Sequence, residues 1–321
     1  MQENNIGAAW RSVQFLIAGV VCLMGVLFIG CPQLWAQAYP YGQQTLTTGN
    51  GPDAVIAADF NGDGRPDLAV GNSLDNTLSI FLSKADGTFT SQTVYGTGAF
   101  PSALAVADLN GDGKLDIVVV DKNGNSVSVL LGKGDGTFNN RVDYPVGNEP
   151  VGIAVADFNG DHKADLAVVN QADSTVSLLL GNGDGTFQGQ TPVPVGPMPT
   201  AIQSADFNND GKPDLITPGY DLNSVSVLLG KGDGTFTRVD SPAGTNPISL
   251  AVGDFNGDGV TDVAVSDNTG SQGLLLIGKG DGTFPSSIPF STTAAGDADI
   301  AVHVCAPVTG FAFLPEPGCW Q

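Results

Sequence analysis

Basic residues are scarce in this chain. Lysine and arginine total 12 against 33 aspartates and glutamates, a formal net charge of −21 over 321 residues. Nucleic acids and anionic lipid surfaces repel a chain with this balance, so neither is expected as the main partner. The charge therefore favours protein or carbohydrate as the ligand class.

Residues suited to catalysis are also few. The chain has two histidines, His162 and His303, and four cysteines. It contains no G-x-S-x-G nucleophile motif and no histidine–cysteine cluster with zinc-ligand spacing. The aspartates occur in repeated sets, so no pair stands out as a general acid and base. We therefore predict that the protein is not an enzyme and that it has no catalytic residues.

The N-terminal part contains the one long uncharged apolar run, from Val13 to Gly30. It is followed by Ala36-Gln37-Ala38, the small-x-small form of a signal-peptidase site, and we interpret residues 1–38 as a signal peptide. Two alternatives remain open. The run is nearly long enough for an uncleaved membrane anchor, and Phe28-Ile29-Gly30-Cys31 is similar to a lipoprotein cleavage site. All three predict export to the periplasm, the cell surface or the medium, with membrane contact only through the N-terminus.

Cysteine placement is compatible with export. Cys22 and Cys31 lie in the N-terminal segment, whereas Cys305 and Cys319 lie in residues 305–321, an irregular tail that matches no other part of the chain. An oxidising compartment permits a disulfide between the last two.

Glycine and aspartate are abundant, and they recur in one pattern. A nine-residue pattern, Asp-Phe-Asn-Gly-Asp-His-Lys-Ala-Asp in its third copy, begins at Asp59, Asp108, Asp157, Asp206 and Asp254, at spacings of 49, 49, 49 and 48 residues. A fixed period of this length indicates one structural unit repeated along the chain.

Each repeat contains four short strand-like segments. In the third repeat they are 151–158, 164–169, 175–180 and 186–195, and the last is interrupted by Pro192 and Pro194, as is typical of an edge strand. No helical period occurs between residues 39 and 304. The pattern predicts an all-β fold, a β-propeller of four-stranded antiparallel blades.

Five complete blades are visible in the sequence, with fragments at both ends. Residues 42–50 align with a fourth strand, and Asp299–Val304 is similar to a first strand but is followed by no aspartate-rich loop. Either the five blades close into a ring, or the chain is an incomplete part of a larger propeller.

The repeated loop places side-chain oxygens at positions 1, 3, 5 and 9, which suits Ca²⁺. An EF-hand requires a glutamate at position 12 and flanking helices. Position 12 is instead Val70, Val119, Val168, Thr217 and Val265, and strands flank each loop. The aspartate at position 9 must therefore provide the last ligand, and the backbone carbonyl at position 7 is expected to add another oxygen.

These repeats resemble the FG-GAP or VCBS repeat family, the calcium-bearing propeller repeats of integrin α-subunits and of many secreted bacterial proteins. The resemblance implies up to five Ca²⁺ ions, one in each hairpin between first and second strands. By position, the implied ligands are Asp59, Asn61, Asp63, Asp67, Asp108, Asn110, Asp112, Asp116, Asp157, Asn159, Asp161, Asp165, Asp206, Asn208, Asp210, Asp214, Asp254, Asn256, Asp258 and Asp262.

One loop departs from the family pattern. His162 replaces the turn glycine at position 6 of the third loop, where a side chain is strained. We therefore predict that the third site is the weakest of the five.

A second recurring element is Gly-Lys-Gly-Asp-Gly-Thr-Phe, which ends at Phe138, Phe236 and Phe284, with variants ending at Phe89 and Phe187. Its aspartate and glycines predict a tight turn between the third and fourth strands. We expect its phenylalanine to pack between neighbouring blades.

Strand order separates two faces of the propeller. The calcium loops and the Asp-Gly turns share one face, and the more variable second-to-third loops and the crossovers between blades share the other. Phe100 and Tyr220 are the expected aromatic contacts on that second face. The leading prediction is an adhesion or recognition module for protein or glycan. The alternatives are an accessory or catalytic propeller of a polysaccharide-degrading enzyme and a structural protein of the cell envelope.

Overall fold

The structure is a computed structural model that describes residues 15–17, 20–22, 44–268 and 272–291. The predicted cleavage site Ala36-Gln37-Ala38, the strand-like Asp299–Val304 and the tail Cys305–Gln321 lie outside these residues. In the N-terminal segment, β1 (Phe15–Ile17) and β2 (Val20–Cys22) form an antiparallel pair. Within the described residues, no helix is long and apolar enough to cross a membrane.

The repeats form five sheets, each of four strands, which we call blades 1 to 5. Blade 1 contains β3 (Pro52–Ala58), β4 (Asp67–Asn72), β5 (Thr77–Phe81) and β6 (Thr93–Gly96). Blade 2 contains β7 (Pro101–Ala107), β8 (Asp116–Asp121), β9 (Ser126–Leu130) and β10 (Val142–Pro145). Blade 3 contains β11 (Pro150–Ala156), β12 (Asp165–Asn170), β13 (Thr175–Leu179) and β14 (Thr191–Pro194).

Blades 4 and 5 continue the same order. Blade 4 contains β15 (Gln203–Ala205), β16 (Asp214–Gly219), β17 (Ser224–Gly230) and β18 (Phe236–Pro242). Blade 5 contains β19 (Pro247–Gly253), β20 (Asp262–Asp267), β21 (Gln272–Ile277) and β22 (Ser286–Ser291). A 3-10 helix, Tyr220–Leu222, joins β16 to β17.

In every blade the strands pair antiparallel in sequence order, from first to fourth. The first strands of consecutive blades contact each other, β3 with β7, β7 with β11, β11 with β15 and β15 with β19. First strands therefore lie at the inner side of the array and fourth strands at the outer side. The prediction of an all-β fold built from four-stranded antiparallel blades is confirmed. Closure into a five-bladed ring, or membership of a larger propeller, stays a prediction.

Burial explains the residue types of the strands. The second strands of blades 1 to 4 are buried along their whole length because both of their faces pack against other side chains. This is why they read as continuous apolar runs rather than as an alternating pattern. The fourth strand of blade 3 is mostly exposed and lies at the sheet edge, where Pro192 and Pro194 cost no ladder hydrogen bond.

Phenylalanines of the Asp-Gly turns join neighbouring blades, as the sequence predicts. Phe138 of blade 2 is 4% exposed and packs edge-on against Phe60 and Tyr95 of blade 1, with centroid separations of 5.6 Å in both pairs. Such contacts recur between all consecutive blades, as Tyr144–Phe187, Phe158–Phe236 and Phe207–Phe284.

Blade 5 differs at the corresponding position. Phe255 is 36% exposed, whereas Phe60, Phe158 and Phe207 are between 1% and 3% exposed. Its ring makes no aromatic pair with another described residue. The side chain that fills this place in the other interfaces belongs to the next blade along the chain.

Two sequence predictions differ from the structure. The fourth strand of blade 3 begins at Thr191 rather than at residue 186, because Phe187 makes only an isolated bridge to Gly181 before the sheet continues. Residues 44–50, which align with a fourth strand, form no strand. Leu46 packs instead against the apolar cluster of Leu68, Val70 and Phe81 in blade 1.

A buried polar residue ends the second strand in three blades. In blades 1 and 3 this residue is Asn72 or Asn170, whose amide nitrogen donates to the hydroxyl of Ser79 or Ser177. In blade 2 it is Asp121, whose Oδ2 lies 2.7 Å from the Ser128 hydroxyl.

Candidate functional site

The five aspartate-rich loops join first to second strands and lie on one face of the array. In the first loop, the backbone N–H of Asp63 donates to both Asp59 Oδ1 (3.1 Å) and Asn61 Oδ1 (3.0 Å). The same pair of hydrogen bonds recurs in the other four loops, at Asp112, Asp161, Asp210 and Asp258. The oxygens at positions 1 and 3 therefore converge beside position 5 in all five loops.

Two residues of each loop have a left-handed backbone. Position 4 is glycine in four loops and Asn209 (φ 58°) in the fourth loop. Position 6 is glycine in four loops and His162 (φ 63°) in the third. The His162 N–H still donates to Asp157 Oδ2 at 2.8 Å, and its side chain is 96% exposed. The histidine therefore adopts the glycine conformation without gaining burial.

The aspartate at position 9 lies beneath the loop and is buried. Asp67 Oδ2 accepts from the Phe60 N–H (3.0 Å), and Oδ1 accepts from the Ser83 N–H (2.7 Å) beyond the third strand. The other blades repeat both bonds, through Asp116, Asp165, Asp214 and Asp262. Position 9 thus connects its loop to the end of the third strand.

Burial and backbone hydrogen bonds shift the pKa values of these carboxylates in different directions. Burial raises the pKa of Asp67, Asp116, Asp165 and Asp214, although the N–H donors oppose this effect. In the fifth loop, the N–H of Gly259 and those of Gly257 and Asp258 hold the pKa of Asp254 below its usual range. Asp254 is therefore readily ionised, as a metal ligand must be.

The donor chemistry of the loops fits Ca²⁺. All four predicted side-chain ligands of each loop are oxygens, and a carboxylate oxygen that accepts one N–H keeps a further lone pair. In the first loop the side-chain oxygens of positions 1 and 3 lie beside the backbone N–H of position 5, and both oxygens of position 1, like both oxygens of position 9, accept backbone N–H groups. Within the described ranges, no group of three or more His, Cys, Asp or Glu side chains is arranged to hold a metal ion. Of the four predicted ligand positions, the structure brings together the side-chain oxygens of positions 1 and 3 in each loop, beside the backbone N–H of position 5.

A cation at position 7 lies against the loop in four repeats. Arg65 pairs with Asp63, Lys114 with Asp112 (3.2 Å), Lys163 with Asp161 (3.4 Å) and Lys212 with Asp210 (3.7 Å). Position 7 of the fifth loop is Val260, so this loop lacks that counter-charge.

The Asp-Gly turns lie on the same face as the loops. Asp135 Oδ1 accepts from the backbone N–H and the hydroxyl of Thr137, at 2.9 and 2.6 Å. The Gly136 N–H donates to the carbonyl of Phe60 in the preceding blade (3.1 Å). The turn aspartate therefore shapes the turn, as predicted, and the turn itself contacts the neighbouring loop.

The opposite face carries the second-to-third loops and the crossovers between blades. Phe100 and Tyr220, the predicted contact residues, are both partly buried there, and the Tyr220 hydroxyl accepts from Asn268 Nδ2 at 3.1 Å. Three exposed apolar side chains on this face were not predicted. They are Leu74 (70% exposed), Met198 (39%) and Leu222 (54%). The available indication was their position, Met198 in a proline-containing crossover and Leu74 and Leu222 in polar turns.

Known proteins share both the repeat and the architecture. An FG-GAP-like repeat model matches residues 59–119, 108–168, 157–217 and 206–265, whereas no curated protein matches significantly.

Among solved β-propellers, an Agrocybe aegerita lectin that recognises non-reducing terminal N-acetylglucosamine is 20% identical (TM-score 0.55, 76% of this chain, 67% of that chain). Virginiamycin B lyase from Staphylococcus aureus is 15% identical (TM-score 0.52, 76% and 71%). BBS1N in complex with ARL6DN is 14% identical (TM-score 0.50, 76% and 69%). Because the repeat matches together span residues 59–265, more than half of the chain, the protein belongs to the FG-GAP repeat family.

Proposed function

We propose that the protein is an exported, calcium-stabilised recognition module that binds a protein or glycan on the face opposite the aspartate-rich loops. One observation carries this proposal. The loops on one face share nearly one sequence and one set of hydrogen bonds, whereas those on the other face differ from blade to blade. Uniform loops suit a scaffold, and variable loops on a rigid scaffold suit recognition.

Calcium is proposed as a structural ion. In each loop the side chains at positions 1, 3 and 5 would hold it, with position 9 beneath them as the fourth predicted ligand. When bound, Ca²⁺ supplies positive charge that links and neutralises neighbouring carboxylates. The sequence has a net charge of −21, so this neutralisation also reduces repulsion across the whole face.

Recognition of protein or glycan is supported by what related architectures bind. The lectin recognises N-acetylglucosamine, and BBS1N forms a complex with ARL6DN. These are properties of those proteins, and they show that a propeller of this general form accommodates either ligand class. Export is proposed from the apolar N-terminal run and the small-x-small motif, and it places the calcium loops where Ca²⁺ is abundant.

The test is binding by the purified chain to a glycan array and to an array of purified extracellular proteins, each with Ca²⁺ and with EDTA. We expect a discrete ligand in one array and weaker binding in EDTA, because the loops hold the scaffold that positions the opposite face. Absence of a ligand in both arrays would contradict recognition and favour a structural envelope role.

A further inference from the structure

The residue that precedes the proline at the start of each blade has a left-handed backbone in all five blades; in blade 4 this proline, Pro199, makes an isolated bridge to Gly219 ahead of β15. These residues, which we call the rim residues, are Gly51 (φ 66°), Phe100 (62°), Glu149 (51°), Met198 (51°) and Asn246 (47°). Each lies in a crossover, on the face opposite the aspartate-rich loops. One backbone conformation thus presents four different side chains and, at Gly51, none.

Hydrogen bonds hold this backbone on both sides. The rim carbonyl accepts an N–H from the residue that follows the second strand of its own blade, at 2.6 to 3.3 Å in all five blades. The rim N–H of Phe100, Glu149 and Asn246 donates to an asparagine side chain in the turn of the preceding blade, at 2.8 to 3.0 Å. The backbone is therefore fixed by neighbouring loops, whatever the rim side chain is.

This conformation is unfavourable for three of the five residues. Glycine and asparagine tolerate a positive φ, whereas bulky side chains rarely adopt it. A residue before proline is further restricted towards an extended conformation. Burial does not repay the strain at Glu149, which is exposed, or at Met198, which is 39% exposed. Strain retained without a packing gain makes Glu149 and Met198 candidates for contact with another molecule.

Apolar and acidic groups surround the rim residues. Leu74 Cγ lies 2.7 Å from the point where a Cβ of Gly51 would stand, so Leu74 replaces the missing rim side chain of blade 1. Leu222 is 54% exposed in the turn of blade 4. The same loops carry the exposed acidic residues Asp75, Glu149, Asp173 and Asp221, against one half-buried cation, Lys122, among the rim residues and the described second-to-third turns.

We propose that the rim residues Phe100, Glu149 and Met198, together with Leu74 and Leu222, form the contact surface for a protein partner that presents basic side chains among apolar ones. This inference rests on the proposed recognition function and specifies its ligand class. Apolar side chains bury best against other apolar side chains, and the acidic groups attract a cationic surface. A neutral glycan offers no cation to Glu149.

The first measurement needs no ligand. Glu149→Asn and Met198→Asn introduce the residue that Asn246 already supplies at the same backbone position. We expect both variants to melt at a higher temperature than the unchanged protein, because asparagine relieves the backbone strain. A lower melting temperature for both would show that these side chains serve packing, and would overturn the inference.

The second measurement is binding, with Ca²⁺ present, to a synthetic peptide of alternating lysine and leucine. A glutamate–leucine peptide of equal length is the charge control, and Val142→Thr, which alters an exposed side chain on an outer strand, is the matched control variant. We expect Phe100→Asn and Met198→Asn each to weaken binding at least tenfold, and Val142→Thr to leave it unchanged. Binding that is absent, or equal in all variants, overturns the proposed partner chemistry.

Different results would contradict the proposed recognition function and the protein-partner inference. A glycan bound on the array but insensitive to the rim variants would leave recognition intact and would overturn the protein-partner inference. A chain that binds neither the arrays nor the lysine–leucine peptide would contradict both.

Discussion

His162 has the backbone conformation of the glycines at position 6 of the other four loops. Its φ of 63° compares with 78° to 82° for those glycines, and its side chain is almost fully exposed. A left-handed conformation costs a non-glycine residue roughly 1–2 kcal/mol. The third loop therefore keeps its hydrogen bonds at an energetic cost.

We predict that His162→Gly raises the free energy of unfolding by about 1 kcal/mol. The reason is that glycine adopts the observed φ without strain, while the N–H bond to Asp157 is retained. Thermal melting in EDTA measures this effect, and the same melt with Ca²⁺ tests whether the third site also gains affinity. Gly113→His, at the equivalent position of the second loop, is the reverse control and should destabilise by a similar amount.

Asp121 is a second residue whose environment differs between blades. Ser128 has one hydroxyl proton, yet its oxygen lies 2.7 Å from Asp121 Oδ2 and 2.8 Å from Asp143 Oδ1. Both contacts are hydrogen bonds only if one carboxyl group carries a proton. Burial raises the pKa of Asp121 to about 6, and Oδ1 of the same residue has no hydrogen-bond partner in the described structure.

Stability should therefore fall as pH rises through the folded pKa of Asp121. The unfolded carboxyl ionises near 3.8 and the folded one near 6, so the favourable contribution is complete below pH 4 and is lost above pH 6. We predict that Asp121→Asn, which copies Asn72 and Asn170, is more stable than the unchanged protein at pH 7 by up to about 3 kcal/mol. The difference should vanish near pH 4.

Chemical denaturation of both proteins from pH 4 to 8 measures this difference. The surface carboxylates titrate equally in the two proteins, so their contributions cancel. A difference independent of pH would mean that Asp121 is ionised in the folded state. Asn170→Asp in blade 3 is the matched reverse variant, and it should become less stable with rising pH.

At the scale of elements, one aromatic contact and one backbone hydrogen bond join blades 3 and 4 beside their shared apolar core. Phe158 packs against Phe236 of the next blade at a centroid separation of 5.9 Å, and the Phe158 carbonyl accepts from the Gly234 N–H at 3.0 Å. Phe255 is the residue at the same loop position in blade 5, and it is 36% exposed.

We predict that Phe158→Ala lowers the free energy of unfolding by about 3–5 kcal/mol, as is usual for a buried phenylalanine. Phe255→Ala, at the matched position, should cost only about 1 kcal/mol, because much of that ring is already in water. Urea unfolding followed by circular dichroism compares the two variants. Equal losses would show that Phe255 is buried in solution by a part of the chain outside the described residues.

Much of the blade was predictable because its information is local. The second strand Asp165–Asn170 reads as an apolar run, and β13 begins at the predicted Thr175. The left-handed rim residues were not predictable, since Phe100 and Met198 are residue types that seldom adopt this conformation. Their φ values depend on hydrogen bonds to other loops, about 24 residues away in the case of Phe100 and Asn76. The hydrogen bond that position 9 accepts at the end of the third strand was not predictable for the same reason, because it joins residues that are distant in the sequence.

At the scale of the whole molecule, the main feature is the large negative net charge. The five loops hold 15 of the 33 acidic residues, and all five loops lie on one face. Repulsion between these groups opposes the folded state unless cations are present. Export and Ca²⁺ binding, both still predictions, would remove much of this repulsion.

We predict that EDTA lowers the melting temperature markedly. Extracellular sites bind Ca²⁺ with dissociation constants of about 10⁻⁴–10⁻³ M, and each saturated site adds about 1–2 kcal/mol to the free energy of unfolding. Differential scanning calorimetry with and without EDTA measures the total. An unchanged melt would contradict structural calcium.

A salt control separates specific binding from screening. Sodium chloride at matched ionic strength screens exposed charges but does not bridge the loop carboxylates. If it restores the melting temperature as fully as Ca²⁺ does, the effect of calcium is general screening and not binding at the five loops.

A hydrogen bond from the Asp-Gly turns of blades 2, 4 and 5 to the preceding loop gives the array a direction. Gly136, Gly234 and Gly282 donate backward along the chain to Phe60, Phe158 and Phe207, and in each case the donor belongs to the later blade. A copied repeat of 49 residues therefore brings its own donor and its own acceptor. Duplication of one such unit, with its ends in the crossovers before the prolines, supplies a donor for the joint on one side and an acceptor for the joint on the other.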